Sequence, residues 1–325
     1  MTATPPDPTD GSNDRAASER AAEHAAEQAA EHAADERAFE WLVDDAMLHE
    51  PVLLVMLTGW IDAAGAAAAA AETVVKECAT VPIVRFDDDT FIDFRARRPV
   101  MSLRDGLNTD LTWSSIELRA GRSTSGRDVV VLVGPEPDMA WHRFARAVST
   151  IAVELGVTKM AAFGAYPFAT PHTRGSRLSC TSPSTDVLAS VTFARSSIDL
   201  PAGMAAVLEH ALHAQRIPSL GIWVQVPHYV VALPYPAASV ALLDGFAEYT
   251  GIEIAAADLR AAIAPQRRRI DDTIAQNPEH LAMLAQLEQL YDASNDGDVT
   301  TGPVIEMRSG DELAAEIQDF LRDQE

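Results

Sequence analysis

The chain has 325 residues, with 48 acidic side chains against 25 basic ones and a formal charge of −23. Phosphate contact needs clustered Lys and Arg, so this balance argues against nucleic acid and anionic membrane as partners. Two cysteines, Cys78 and Cys180, are too few and too far apart for a disulfide framework or a zinc cage, which suits a reducing cytosol.

Residues 1–38 hold no charged n-region with an apolar stretch and no arginine-rich, acid-poor transit pattern, so nothing directs export and the protein reads as cytoplasmic. Residues 63–71, the longest apolar run, are nearly all alanine and too weakly hydrophobic to span a bilayer. Between Ala21 and Glu36 a four-residue unit, Ala-Ala-Glu-His and its variants, recurs. Alanine and glutamate favour helix, but Glu19, Glu23, Glu27 and Glu31 repel at i,i+4 and only alanine faces a partner. An acidic tail, disordered or partly helical, is expected over 1–38, outside the fold.

Beyond the tail, apolar runs alternate with helical stretches, the pattern of an α/β domain over 39–255. Residues 52–57 form a continuous run suited to a strand buried on both faces, and an alanine-rich helix follows from about Ala63 to Cys78 with Asp62 placed to cap it. A second strand is expected at 81–86. Residues 90–128 read as an excursion with short strands near 91–94 and 116–118. Strands at 129–134, 159–165 and 220–226 alternate with helices at about 139–155, 201–215 and 237–249, the last closed by Gly251. Residues 256–292 form a helical extension punctuated by Pro265 and Pro278, 293–308 a linker, and 309–325 a last amphipathic helix. Ser309 with Glu312 three residues on is a capping box for that helix.

The chemistry-bearing residues collect after the strands. Gly59-Trp60-Ile61-Asp62 stands where phosphates settle in nucleotide folds, yet Gly59 and Gly65 lack the lysine and the further glycines such a site needs. Trp60 suits a packed contact, a ligand wall or cover for the core's edge. In Gly134-Pro135-Glu136-Pro137-Asp138, Asp138 can cap the next helix and Glu136 is left at the strand end as an acid or base, with Trp141 close behind; a rigid joint explains the segment equally. His172 and Arg174 could together hold an anion, or belong to a solvated loop. His228 and Tyr229 end the last strand, undecided between core and site. No metal or cofactor set appears: His210 and His213 lack a partner at ligand spacing, and no Gly-x-Ser-x-Gly elbow flanks Ser179 or Ser182.

Taken in order, these segments resemble the proteasome assembly chaperone 2 family in its actinobacterial-type branch. The likeness runs through Gly59-Trp60-Ile61-Asp62-Ala63, Phe91-Ile92-Asp93-Phe94 with Arg98-Pro99, and Gly134-Pro135-Glu136-Pro137 with Trp141. It continues through Pro171-His172-Thr173-Arg174, Pro227-His228-Tyr229 and Leu287-Glu288-Gln289-Leu290-Tyr291-Asp292. The resemblance implies a three-layer Rossmann-like sheet of the phosphorylase/hydrolase-like kind, with flanking helices and a C-terminal helical extension. It also implies a homo-oligomer, with a trimer as the family-level expectation, and assembly contacts with proteasome α subunits without nucleotide chemistry. Chaperones that dock in proteasome pockets often finish in hydrophobic-Tyr-any residue; this sequence reads Asp323-Gln324-Glu325, which argues against pocket insertion but not against every proteasome contact. The leading expectation is thus an oligomeric protein-binding or assembly factor. The alternative is a hydrolase- or phosphorylase-like enzyme acting on a small anionic or nucleoside-like substrate, in which His172 and Arg174 hold the anion, Glu136 serves as acid or base and Asp62 orients substrate.

Overall fold

The computed structural model describes residues 38–44 and 46–293. The acidic repeat and the last amphipathic helix lie outside these residues. Among them the chain runs β1 (Phe39–Trp41), β2 (Val52–Thr58), α1 (Ala66–Glu77), β3 (Val81–Phe86), a one-turn α2 (Asp88–Phe91), β4 (Val100–Arg104), β5 (Leu107–Thr112), β6 (Glu117–Arg122) and β7 (Asp128–Pro135). It continues as α3 (Trp141–Glu154), β8 (Lys159–Phe168), β9 (Leu178–Thr181), a short α4 (Thr185–Ala189), α5 (Met204–Ala214), β10 (Ser219–Pro227), α6 (Pro236–Thr250), α7 (Ala257–Ile274) and α8 (Pro278–Ala293).

Eight strands form one mixed sheet in the order β1-β3-β6-β7-β2-β8-β10-β9. The central four, β7, β2, β8 and β10, are parallel, while β1, β6 and β9 run against their neighbours. Alternation along β2 explains its unbroken apolar run. Val52, Leu54 and Met56 enter a core shared with α1, α6 and α7, and Leu53 and Val55 enter a second core shared with α3 and α5. Ala66, Ala67, Ala70 and Ala71 are buried on α1, where small side chains let the helix lie close to the sheet. No helix among the described residues is long and apolar enough to cross a membrane.

Several boundaries differ from the sequence reading. Phe91 ends a helical turn rather than starting a strand, because its ring is fully buried against Phe86 and Phe144, centroids 6.2 and 5.1 Å away. The excursion instead holds an antiparallel hairpin, β4–β5, joined through Asp105 and Gly106 at φ +49° and +82°. That Asp-Gly pair is a strong local hairpin signal, and the weak alternation of the flanking residues hides it. Pro265 sits inside α7 instead of dividing two helices, whereas Pro278 opens α8, where a missing N–H costs nothing. The edge strands β1 and β9, three and four residues long, are too short to leave a periodic signal.

Candidate functional site

β3 is antiparallel to β6, which is antiparallel to β7, so β3 points the same way as the parallel strands. The loops following β3, β7, β2, β8 and β10 therefore leave one edge of the sheet, the edge where α/β folds place their working residues. All nine candidate residues lie on or beside these loops, and the structure divides them into two groups.

The first group surrounds Gly59. Its φ of +116° is open only to glycine, and a Cβ there would lie 3.0 Å from Nη2 of Arg97. The Arg97 guanidinium reaches over this glycine, donating to the Glu136 carbonyl at 3.4 Å and to Asp138 Oδ2 at 3.1 Å. Asp138 also accepts the Asp93 amide at 3.0 Å, so it ties the β3 loop to the β7 loop rather than capping α3. That helix starts at Trp141 after Ala140 at φ +54°, and the Trp141 indole N–H donates to the Pro137 carbonyl at 2.7 Å. Glu136 joins the edge through its amide, which donates to the Thr58 carbonyl at 2.6 Å, and its carboxylate accepts the Met204 amide at the first turn of α5. The Trp60 ring lies on Gly203, where a Cβ would sit 2.9 Å from the indole Cδ1.

Asp62 does cap a helix, by a longer reach than expected. A 3-10 turn, Ala63–Gly65, precedes α1, and the carboxylate takes the amides of Ala67 at 2.8 Å and Ala68 at 3.0 Å. Burial nonetheless pushes its pKa up, against the lowering effect of those amides.

The second group holds the C-terminal helices in place. His172, expected in a solvated loop, is buried. Its Nδ1 and its backbone N–H both meet the Tyr229 hydroxyl at 2.8 Å, and Nε2 meets Asp271 Oδ1 of α7 at 2.9 Å. With the amide donating to the hydroxyl and the hydroxyl donating to Nδ1, Nε2 carries the proton toward Asp271. Burial pushes the Tyr229 phenol up to about 12, so it remains a donor. Arg174 forks onto Asp292, Nε to Oδ1 at 2.9 Å and Nη2 to Oδ2 at 2.7 Å, and adds Glu288 at 3.3 Å. These contacts hold the guanidinium's pKa above its ordinary value, led by the Asp292 bond. Thr173 donates to Glu288, Arg177 covers the Tyr291 ring at 3.8 Å, and the Tyr291 hydroxyl donates to the Gly175 carbonyl at 2.9 Å. The anion facing Arg174 is the protein's own α8. His228 is exposed, its ring edge-on to Tyr229 at 5.3 Å.

Asp62, Glu136 and Arg174 thus bond to three different helices, α1, α5 and α8. A cavity of about 450 Å³ lies elsewhere, beside the β6–β7 turn, lined by Thr124, Asp244, Glu253 and Arg260 among others and by none of the nine candidates. Among the described residues no three His, Cys, Asp or Glu side chains gather as metal ligands. The same edge also exposes large apolar side chains. Trp60 and Met139 follow β2 and β7, Val231 and Leu233 follow β10, and Ile198 and Leu200 lead into Gly203 beneath Trp60. The Ala64 amide donates to the Val231 carbonyl at 3.0 Å, which joins the β2 and β10 loops directly. Sequence reasoning missed Arg97 and Asp271, and gave Glu288 and Asp292 only within the family-like segment, without a role. Glu288 and Asp292 carried a signal, since like charges four apart on one helix repel unless a cation stands between them.

A model of the PAC2 family matches residues 56–274. Among solved structures, a Corynebacterium glutamicum protein of unknown function is 27% identical with a TM-score of 0.75, covering 80% of this chain and 99% of its own. A Mycobacterium tuberculosis protein of unknown function is 30% identical with a TM-score of 0.74, covering 81% of this chain and 93% of its own. A second M. tuberculosis protein, described as a proteasome-assembly chaperone homologue, is 32% identical with a TM-score of 0.67, covering 73% of this chain and 99% of its own. No curated protein matches the chain.

Proposed function

Because the chain belongs to the PAC2 family, we propose that it is a protein-binding assembly factor of the proteasome-assembly-chaperone kind, presenting its carboxyl-edge loops to a folded partner. One observation carries this reading. Asp62, Glu136, His172 and Arg174 at that edge are spent inside the chain, on helix amides or on the carboxylates of α7 and α8, while Trp60, Met139, Val231 and Leu233 stand exposed on the same loops. An apolar, partly aromatic rim of this sort suits a protein surface better than a small charged substrate, because desolvating it on contact supplies the binding energy.

The chaperone-homologue relative and the family resemblance together make a proteasome α subunit the partner of choice. The same reading takes the sheet as three-layered and Rossmann-like in the phosphorylase/hydrolase manner, the chain as a cytoplasmic homo-oligomer, and a trimer as its expected form. Nothing in the geometry favours the hydrolase or phosphorylase alternative, whose four named residues, Asp62, Glu136, His172 and Arg174, bond to four separate helices. The experiment is capture from the native cytosol in mild salt with the tagged full chain, comparing wild type with Trp60→Ala/Leu233→Ser. Recovery of α subunits that falls with the double variant supports the reading. Capture of no proteasome subunit, or capture the variant leaves unchanged, contradicts it.

A further inference from the structure

The β4–β5 hairpin leaves the carboxyl edge at the β3 side of the sheet and forms a two-stranded sheet of its own. Val100 and Leu107 are 69% and 67% exposed, and Met101, Leu103, Leu111 and the adjacent Trp113 also face solvent. A lone two-stranded ribbon is marginally stable in water, and this one gains little from burying its own side chains. The register puts Met101, Leu103 and Leu111 together on one face of the ribbon, with Val100 and Leu107 on the other, and the first face is bare and apolar in the way that marks a contact. Around it, Arg95, Arg98 and Arg104 are exposed and have no ion-pair partner among the described residues, in a chain whose formal charge is −23.

We propose that this hairpin is the docking site for the chain's own residues 309–322. In that segment Leu313, Ile317, Phe320 and Leu321 recur at helical spacing, with Asp311 and Glu312 just before them and Glu316 and Asp319 between them. The apolar stripe matches the apolar ribbon and the carboxylates match the arginine rim. The reach also fits. Asp292, at the end of α8, is held by Arg174 in the loop after β8, and β8 stands four strand positions from β3. Four positions at ~4.8 Å each are about 20 Å. Residues 294–308 can span up to about 50 Å when extended. The inference does not depend on the identity of an outside partner, and its test uses none.

The test is a photoreactive residue in place of Leu103 in the full chain, with heavy- and light-isotope chains mixed before irradiation. The expected product joins position 103 to a peptide within 309–322 of the same isotope. Its yield should fall at least about tenfold in Ile317→Asp/Leu321→Asp, and several-fold in Arg95→Glu/Arg98→Glu as the electrostatic share is lost. Amide exchange over 100–112 should quicken in the tail variant while the central strands keep their protection. Products of mixed isotope would put a second copy on the hairpin and overturn the proposal. So would cross-links only to foreign protein, cross-links to no part of 309–322, or hairpin exchange unmoved by the tail variant.

Discussion

The loop after β8 and the loops after β2, β7 and β10 leave the same edge of one sheet and do opposite work. In the first, His172, Thr173, Arg174 and Arg177 all bond to α7 or α8, directly or through Tyr291, and the loop is an anchor. In the others Asp62 turns inward to α1 and Glu136 to α5, but the large apolar side chains stay out. The difference teaches that titratable residues at a strand end are weak evidence for chemistry when a helix terminus or an oppositely charged helix stands within reach. At this edge the informative exposure is apolar.

The strongest way to break the comparison is to remove the anchor. His172→Ala strands the Tyr229 hydroxyl and leaves a cavity while the half-exposed Asp271 carboxylate stays hydrated, so global stability should fall by about 3 kcal/mol. Limited proteolysis should then cut first within 255–293; cleavage elsewhere would mean that α7 and α8 do not depend on this network.

A buried carboxylate away from the edge offers a pH test of the same logic. Glu209 of α5 accepts a hydrogen bond from Thr181 at 2.9 Å, and burial pushes its carboxyl from 4.5 up to about 7. The folded state therefore holds this proton where the unfolded chain has lost it. Glu209's contribution is most favourable below about 4.5 and diminishes by roughly 3 kcal/mol as pH rises through about 7. Denaturant titrations of wild type and Glu209→Gln at about pH 5 and about pH 8 read it: the variant should gain on wild type far more at the higher pH. An equal difference at both pH values would place Glu209 in a better solvated setting.

A smaller effect is expected where a carboxylate merely caps. Asp62→Ala should cost about 1 kcal/mol and Asp62→Asn less, read from urea midpoints at constant slope. The smallest stability effect belongs to Leu233 on the exposed rim. Leu233→Ser should shift stability by no more than about 0.5 kcal/mol, whereas Trp60→Ala, which takes away a ring only 38% exposed and packed on Gly203, should cost more, about 2 kcal/mol.

Much of the framework was legible beforehand. Continuous apolar runs such as 52–57 and 129–134 announce strands buried on both faces, and the alanine helix after Asp62 announces close packing on a sheet. The order of loop motifs gave the family that the model match bears out. Pairing was not legible, because it rests on contacts distant in sequence. His172 meets a helix 99 residues away, and Arg174 meets Asp292 118 residues away. Nor could periodicity reveal that β4 and β5 stand apart from the main sheet, since their exposed apolar residues alternate too weakly to mark either face.

The central claim is that polar residues at the carboxyl edge hold the fold while apolar ones there hold the partner. Its most direct test is titration of a purified proteasome α subunit against the full chain and its Trp60→Ala/Leu233→Ser variant, with each protein's unfolding midpoint measured alongside. The account predicts binding by the wild-type chain, weakened at least about tenfold in the variant, with the variant still folded at the assay temperature. Undiminished affinity in the variant, or no binding by the wild-type chain, would contradict it.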